Sequence, residues 1–243
     1  MTLIKIYWLI FCFVRGNSAM DKNKGLFRRQ MSDSIITATF IVLSGGFQDA
    51  YTYCCRGKVF ANAQTGNIVL MSANLLSGEA ARSVKYIVPL LSFHLGIMAA
   101  EWVHCRFKSY EKIHWRQMIL AVEIALLFGV GFLPQSANSL ANALVSFVCA
   151  LQVQSFHKVH GCVYASTMCI GNMRSGAEAL FAFFHTREKE ALQKALMYFS
   201  VILLFAVGAG FGSVATAHFG ERAIWISCAL LIAGFVTMFI KER

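Results

Sequence analysis

Two short polar clusters interrupt an otherwise apolar chain, and they are near-copies of each other. The first is Gln64, Thr65, Gly66 and Asn67; the second is Gly171 and Asn172 followed by Arg174. A helix that begins inside a membrane leaves its first backbone N–H groups unpaired. Asn, Ser or Thr nearby can cap them, and glycine permits a turn or a close backbone approach. The open N-terminus carries partial positive charge and suits a carboxylate or another anion. Two such starts converging would build a small-solute site from Gln64, Thr65, Gly66, Asn67, Gly171, Asn172 and Arg174. The competing reading is packing, in which small residues let helices approach while amides hydrogen-bond across the interface, at about 0.6–2 kcal/mol each. At the level of sequence both readings stay open.

The acids embedded in apolar runs are the second source of chemistry. Asp49 and Glu123 are flanked by apolar residues on both sides. Carboxylates at membrane depth are costly and usually face a cavity or a partner, so both are candidates for carrying a coupling proton. Glu101 lies near the end of an apolar run and reads as a side chain reaching for water, while His94 reads as a hydrogen-bonded interior histidine. Arg174 and Glu178 stand four apart and read as a helix-surface ion pair, the alternative being that Arg174 offers its charge to an anionic ligand.

Other chemistries find little footing. The chain has no G-x-S-x-G, H-E-x-x-H or G-x-x-x-x-G-K-[ST] motif, so no enzyme is expected, although Asp49 and Glu123 as an acid/base pair form a minor third reading. The eight cysteines lack C-x-x-C or Cys/His ligand spacing and read as small core residues. His157, His160 and Cys162 make only a weak metal idea, so neither metal nor cofactor is expected. The net charge of +10 is not arranged as basic runs interleaved with aromatics, which argues against nucleic acid. It fits the basic loops that membrane proteins keep on the cytoplasmic side.

The elements that must position these residues follow from hydropathy. With 57% hydrophobic residues, 14% charged residues and a mean hydropathy of +0.58, the chain is too apolar to wrap a soluble core in a polar surface. Six segments are long and apolar enough to cross a bilayer: Ile35–Cys55, Tyr86–His104, Gln117–Leu133, Leu140–Phe156, Ala195–His218 and Ala223–Ile240. Phe60–Leu76 and Tyr164–Phe184 begin with small and polar residues and read as broken or re-entrant helices. Residues 1–30 read as an N-terminal extension, with Met20 and Met31 as alternative starts, ahead of a single membrane domain over 31–243.

That domain reads as two copies of one unit, about 34–134 and 138–240. Gly46 to Ala61 lies over Ala150 to Ala165 at an offset of 104, matching Gln48 with Gln152, Gly57 with Gly161, Val59 with Val163 and Ala61 with Ala165. One residue later in the second copy, Gly66-Asn67 recurs as Gly171-Asn172. If the Gly-Asn segments do not cross, fourteen basic residues fall inside and five (Arg56, Lys58, Arg82, Lys85 and Arg222) outside; if both cross, the division is eleven to eight. The positive-inside rule favours the first. Three spans per copy is an odd number, so the second copy enters from the opposite side. The expected fold is therefore all-α and polytopic, with about six transmembrane helices and two re-entrant Gly-Asn helices as two inverted three-span repeats.

At "GGFQDAYTY", "VFANAQTGN" and "TMCIGNMRS" the chain resembles the YoaK family of uncharacterised bacterial multi-pass membrane proteins. The marks are Gly45, Gly46, Asp49, Thr65, Gly66 and Asn67, with Gly171, Asn172 and Arg174 in the second half, and the likeness covers roughly residues 34–240. The resemblance implies a multi-pass bacterial inner-membrane protein and supplies no activity or catalytic residue. Together with the repeat it leads to an expected secondary transporter or channel for a small solute, with anions among the candidates, in a lipid bilayer and with both termini cytoplasmic. A homo-oligomer is compatible with this reading. The alternative is a non-transporting scaffold or sensor whose Gly-Asn segments are packed shut.

Overall fold

The computed structural model describes residues 35–107, 114–159 and 162–239. The 1–30 extension, His160 and Gly161 lie outside them. Among the described residues there are eight α-helices: α1 Ile35–Cys55, α2 Gln64–Leu76, α3 Ala80–Phe107, α4 Trp115–Val130, α5 Asn138–Ser155, α6 Cys169–Thr186, α7 Lys189–Phe219 and α8 Ile224–Thr237. A two-residue antiparallel bridge, Lys158–Val159 with Cys162–Val163, lies between α5 and α6. Among the described residues three helical stretches combine the length and apolarity needed to cross a membrane: Ala80–Phe107, Gln135–Ser155 and Lys189–Thr237, the last joining α7 and α8 through a short turn. The α1 helix is 21 residues long but is diluted by glycines, Gln48 and Asp49, and α4 has only 16 residues.

The surface and interior are inverted relative to a water-soluble protein. Leu76, Ile170 and Phe181 are 89%, 80% and 75% exposed, while Gln48, Asn67, Ser146 and Gln152 are fully enclosed. An apolar outside suits lipid, and polar groups inside find partners within the bundle.

Helix direction follows from a few contacts. A Cβ added at Gly208 of α7 would collide with the Leu43 carbonyl of α1, and one at Gly212 would come within 2.8 Å of the Phe47 carbonyl, so α1 and α7 run parallel and backbone to backbone. The same geometry recurs between α3 and α5, where a Cβ at Gly96 would stand 2.5 Å from the Phe147 carbonyl. Leu43 and Phe147 are 104 positions apart, the offset at which Gln48 lies over Gln152. Other packing pairs exchange in the same way: α2 packs on α3 as α6 packs on α7, and α1 packs on α8 as α5 packs on α4.

Beyond Cys55 the chain reverses through Gly57 and Lys58, both with positive φ (86° and 62°). It then folds back along α1 until the Asn62 amide reaches the Gly45 carbonyl at 3.3 Å, at the midpoint of α1. From there α2 runs 13 residues, about 20 Å at 1.5 Å per residue. The α3 helix then begins beside the reversal, with Lys85 Nζ 3.3 Å from the Gly57 carbonyl. The α2 excursion therefore starts and finishes at one end of the bundle. In the second half Thr167 reaches the same midpoint, its methyl 2.6 Å from where a Cβ of Gly45 would stand.

Candidate functional site

The two asparagines of the Gly-Asn segments perform the same task. Asn67 Nδ2 donates to the Phe60 carbonyl at 2.7 Å and its Oδ1 accepts the Phe60 N–H at 3.2 Å. Asn172 Nδ2 donates to the Ala165 carbonyl at 2.6 Å and its Oδ1 accepts the Ala165 N–H at 3.1 Å. Each amide thus pairs with both backbone groups of one residue, clamping the non-helical segment seven residues upstream to the first turn of its own helix. Irregular backbone at this depth needs such partners. The two clamps stand 105 positions apart, which sets Ala165 beside Phe60, Thr167 beside Asn62 and the N-cap Met168 beside the N-cap Ala63, one residue later than the match of Ala61 with Ala165 read from sequence.

Removing a clamp strands one part-buried N–H and one part-buried carbonyl. Asn67→Ala and Asn172→Ala are each expected to lower stability by about 2–4 kcal/mol, two groups at the lower part of the range of about 1–3 kcal/mol for each unpaired polar group because neither is fully buried. Asn67→Asp is expected to fare little better, because a carboxylate cannot donate to the Phe60 carbonyl. Denaturation of the purified variants in micelles measures both.

Where these two non-helical segments end, a polar cluster collects around Gly45. The Asn62 amide sits on the Gly45 carbonyl and within reach of the Cys149 thiol; Cys149 in turn donates to Gln48 Oε1 at 3.0 Å. Gln152 Nε2 donates to the Ile41 carbonyl at 2.9 Å and lies 3.2 Å from the Cβ that Gly45 lacks. Gln48 Nε2 donates to Ser44 and Ser227. Asp49 Oδ1 accepts the N–H of Asn62 at 2.9 Å, with the N–H groups of Ala61 and Ala63 turned toward the same carboxylate. Four enclosed atoms of this cluster lack a hydrogen-bond partner among the described residues: Asn62 Oδ1, Gln152 Oε1, Ser166 Oγ and Thr167 Oγ1. Enclosed polar atoms cost free energy unless something satisfies them, so a small polar ligand is chemically suited here.

A profile of the family described as "Protein of unknown function (DUF1275)" matches residues 37–237. The chain belongs to this family. It is also similar to the UPF0700 transmembrane protein YoaK of Bacillus subtilis (strain 168), 23% identical over 212 residues that cover 84% of this chain and 93% of the relative. No solved structure matches the chain. The protein is thus a transmembrane protein of the YoaK/DUF1275 kind, as its marks at Gly45, Asp49 and the Gly-Asn pairs led one to expect.

The residues singled out by sequence separate into three groups. Asn67, Asn172, Gln64 and Asp49 organise the two helix starts, Gln64 Nε2 donating to the Ala61 carbonyl at 2.7 Å and its Oε1 accepting from Asn67 at 3.0 Å. Thr65, Gly171 and Arg174 are exposed, and Arg174 pairs with Glu178 at 2.9 Å on the outer face of α6. Gly66 rests on the Phe60 ring while Gly171 meets nothing, so these glycines do not bring helices together; Gly46, Gly96, Gly208 and Gly212 do. Glu123 is fully enclosed on α4, both carboxylate oxygens without a hydrogen-bond partner among the described residues, at the place in its half that Ser227 holds in the other. Glu101 is exposed at the end of α3 and accepts from Gln154 at 2.9 Å; His94 is exposed and bonds the Leu90 carbonyl of its own helix.

Asn62, Cys149, Ser166 and Thr167 are not among the site residues expected from sequence, where nothing sets them apart from their neighbours. The available signal was the match of Gln48 with Gln152, a pair of polar residues repeated inside two apolar spans.

Proposed function

We propose that this protein is a secondary transporter or channel for a small solute, built from six spans and two re-entrant helices as two inverted halves in a bacterial cell membrane. The observation that carries the reading is the enclosed cluster around Gly45, where both re-entrant starts meet and four polar side-chain atoms lack partners. Discontinuous helices that converge at mid-depth are the usual way such proteins build a solute site.

The direction of the helices supports the inverted arrangement: α2 and α6 penetrate from opposite ends and reach the same level of α1. The charge pattern agrees, since Arg56, Lys58, Arg82, Lys85 and Arg222 all belong to the end where α1 finishes, which leaves the more basic end, with both termini, in the cytoplasm. Glu123, enclosed and without a hydrogen-bond partner among the described residues, is the acid best placed to carry a coupling proton.

A background lacking the native cysteines, with Asn62→Cys, Thr167→Cys or Lys85→Cys added singly, tests the reading with a membrane-impermeant thiol reagent. The conduit predicts labelling of the first two in the membrane and labelling of the third from the outside only. Labelling of Lys85→Cys alone would leave a sealed scaffold, and labelling of it from the cytoplasm would overturn the six-span topology.

A further inference from the structure

The two re-entrant starts are built alike except for one charge. At the start of α2 the N–H groups of Ala61, Asn62 and Ala63 turn toward the carboxylate of Asp49, one helical turn beyond Gly45. The corresponding groups at the start of α6 belong to Ser166, Thr167 and Met168, and the residue that corresponds to Asp49 is Val153. The α6 helix has no acidic residue in its first turn and no side-chain cap on its N-terminus. It brings instead two enclosed hydroxyls, Ser166 Oγ and Thr167 Oγ1, neither with a hydrogen-bond partner among the described residues. The methyl of Thr167 occupies the space that a side chain at Gly45 would need, 2.6 Å from the absent Cβ, so the start of α6 lies directly against α1.

We infer that the solute carries a carboxylate, held at the start of α6 in the place that Asp49 fills at the start of α2. The inference rests on the reading of this cluster as a solute site and names the class of solute. A helix start turns N–H groups and partial positive charge toward its ligand, and two hydroxyls add donors. Gln152 Oε1 and Asn62 Oδ1, also around Gly45, are acceptors and suit a donor attached close to that carboxylate. A small amino or hydroxy acid has both halves of this pattern.

The experiment measures thermal unfolding of the full chain in micelles with glycine or lactate, and with glycinamide or propane-1,2-diol, which keep the donor but lack the carboxylate. Glycine or lactate is expected to raise the unfolding temperature and the two controls are not. Val153→Asp places a carboxylate where the solute's would sit, and is expected to weaken the effect about tenfold or more, as is the double change Ser166→Ala with Thr167→Val. The double variant decides the matter if Val153→Asp does not fold. Equal stabilisation by the controls, or undiminished stabilisation in the variants, overturns the carboxylate assignment. So does a wild type that responds to none of the four compounds. In each case thiol labelling of Thr167→Cys tells the failures apart: if it labels, the conduit stands without this ligand class; if it does not, both fall.

Discussion

Replacing Arg56 by methionine is expected to lower the stability of this protein by about 3–5 kcal/mol, the range for removing one partner from a buried charged network. Arg56 is fully buried although it follows directly on the end of α1. Its guanidinium donates to the Leu133 carbonyl at 2.9 Å, the Val130 carbonyl at 3.1 Å, the Pro134 carbonyl at 3.3 Å, Asn138 Oδ1 at 3.1 Å and the Tyr51 hydroxyl at 2.9 Å. Three of these acceptors are carbonyls at and just beyond the end of α4, where the helix dipole is negative and the backbone has no further donors. One side chain therefore closes α4, starts α5 and fixes the end of α1. Methionine fills similar space but removes the donor from the buried Val130 carbonyl and Tyr51 hydroxyl and from the part-buried Leu133, Pro134 and Asn138 oxygens. Lysine keeps the charge without the planar fork and is expected to recover less than half of the loss. Denaturant or thermal unfolding in micelles reads the effect; a loss under about 1 kcal/mol would mean that water replaces the guanidinium and that the site is wetter than its burial implies.

The second large effect is expected at the contact between α1 and α7. A Cβ at Gly46 would fall on the Phe205 carbonyl and 2.9 Å from the Ala209 nitrogen, and one at Gly208 would fall on the Leu43 carbonyl. The obstructing atoms are backbone, so no rotamer change relieves them; the helices must separate. Overpacking commonly costs about 1–3 kcal/mol, and Gly208→Ala is placed at the upper end, with Gly46→Leu preventing assembly of the bundle. Gly210→Ala is the control: nothing lies within 4 Å of its Cβ position, and alanine in place of a helix-interior glycine is expected to be neutral or stabilising by about 0.5–1 kcal/mol. Thermal unfolding of the three variants, side by side, separates the contact from helix propensity. If Gly208→Ala matched Gly210→Ala, the close approach would not hold α1 against α7.

Much of the architecture was legible in the residues. Apolar runs of the right length marked α3, α5, α7 and α8, and the polar openings of Phe60–Leu76 and Tyr164–Phe184 marked helices that begin in the interior, because membrane depth tolerates only a few patterns. The expected repeat rests on Gln48 and Gln152, a polar pair within two apolar runs, and both side chains come to the cluster around Gly45. The clamps of Asn67 and Asn172 stand 105 positions apart, one residue later than the match of Ala61 with Ala165 read from sequence. Arg56 reads in sequence as a charge in an exposed loop, and the charge count treats it so. Its burial depends on the end of α4, more than seventy residues away, a distance that no local pattern reports.

The site followed the same division. The sequence by itself determined that this is a polytopic helical membrane protein, that its Gly-Asn segments come as a pair, and that Asp49 and Glu123 sit at depth, because composition and periodicity are set by the solvent around each helix. Tertiary structure alone decided how those residues are used. Asn67 and Asn172 are committed to their own backbones, Arg174 to Glu178, and Asp49 to the start of α2. The open polar groups belong to Asn62, Gln152, Ser166 and Thr167. The physical reason is that hydrogen-bond capacity is finite. Which amide or hydroxyl has capacity to spare depends on which neighbours folding has already brought within 3 Å of it.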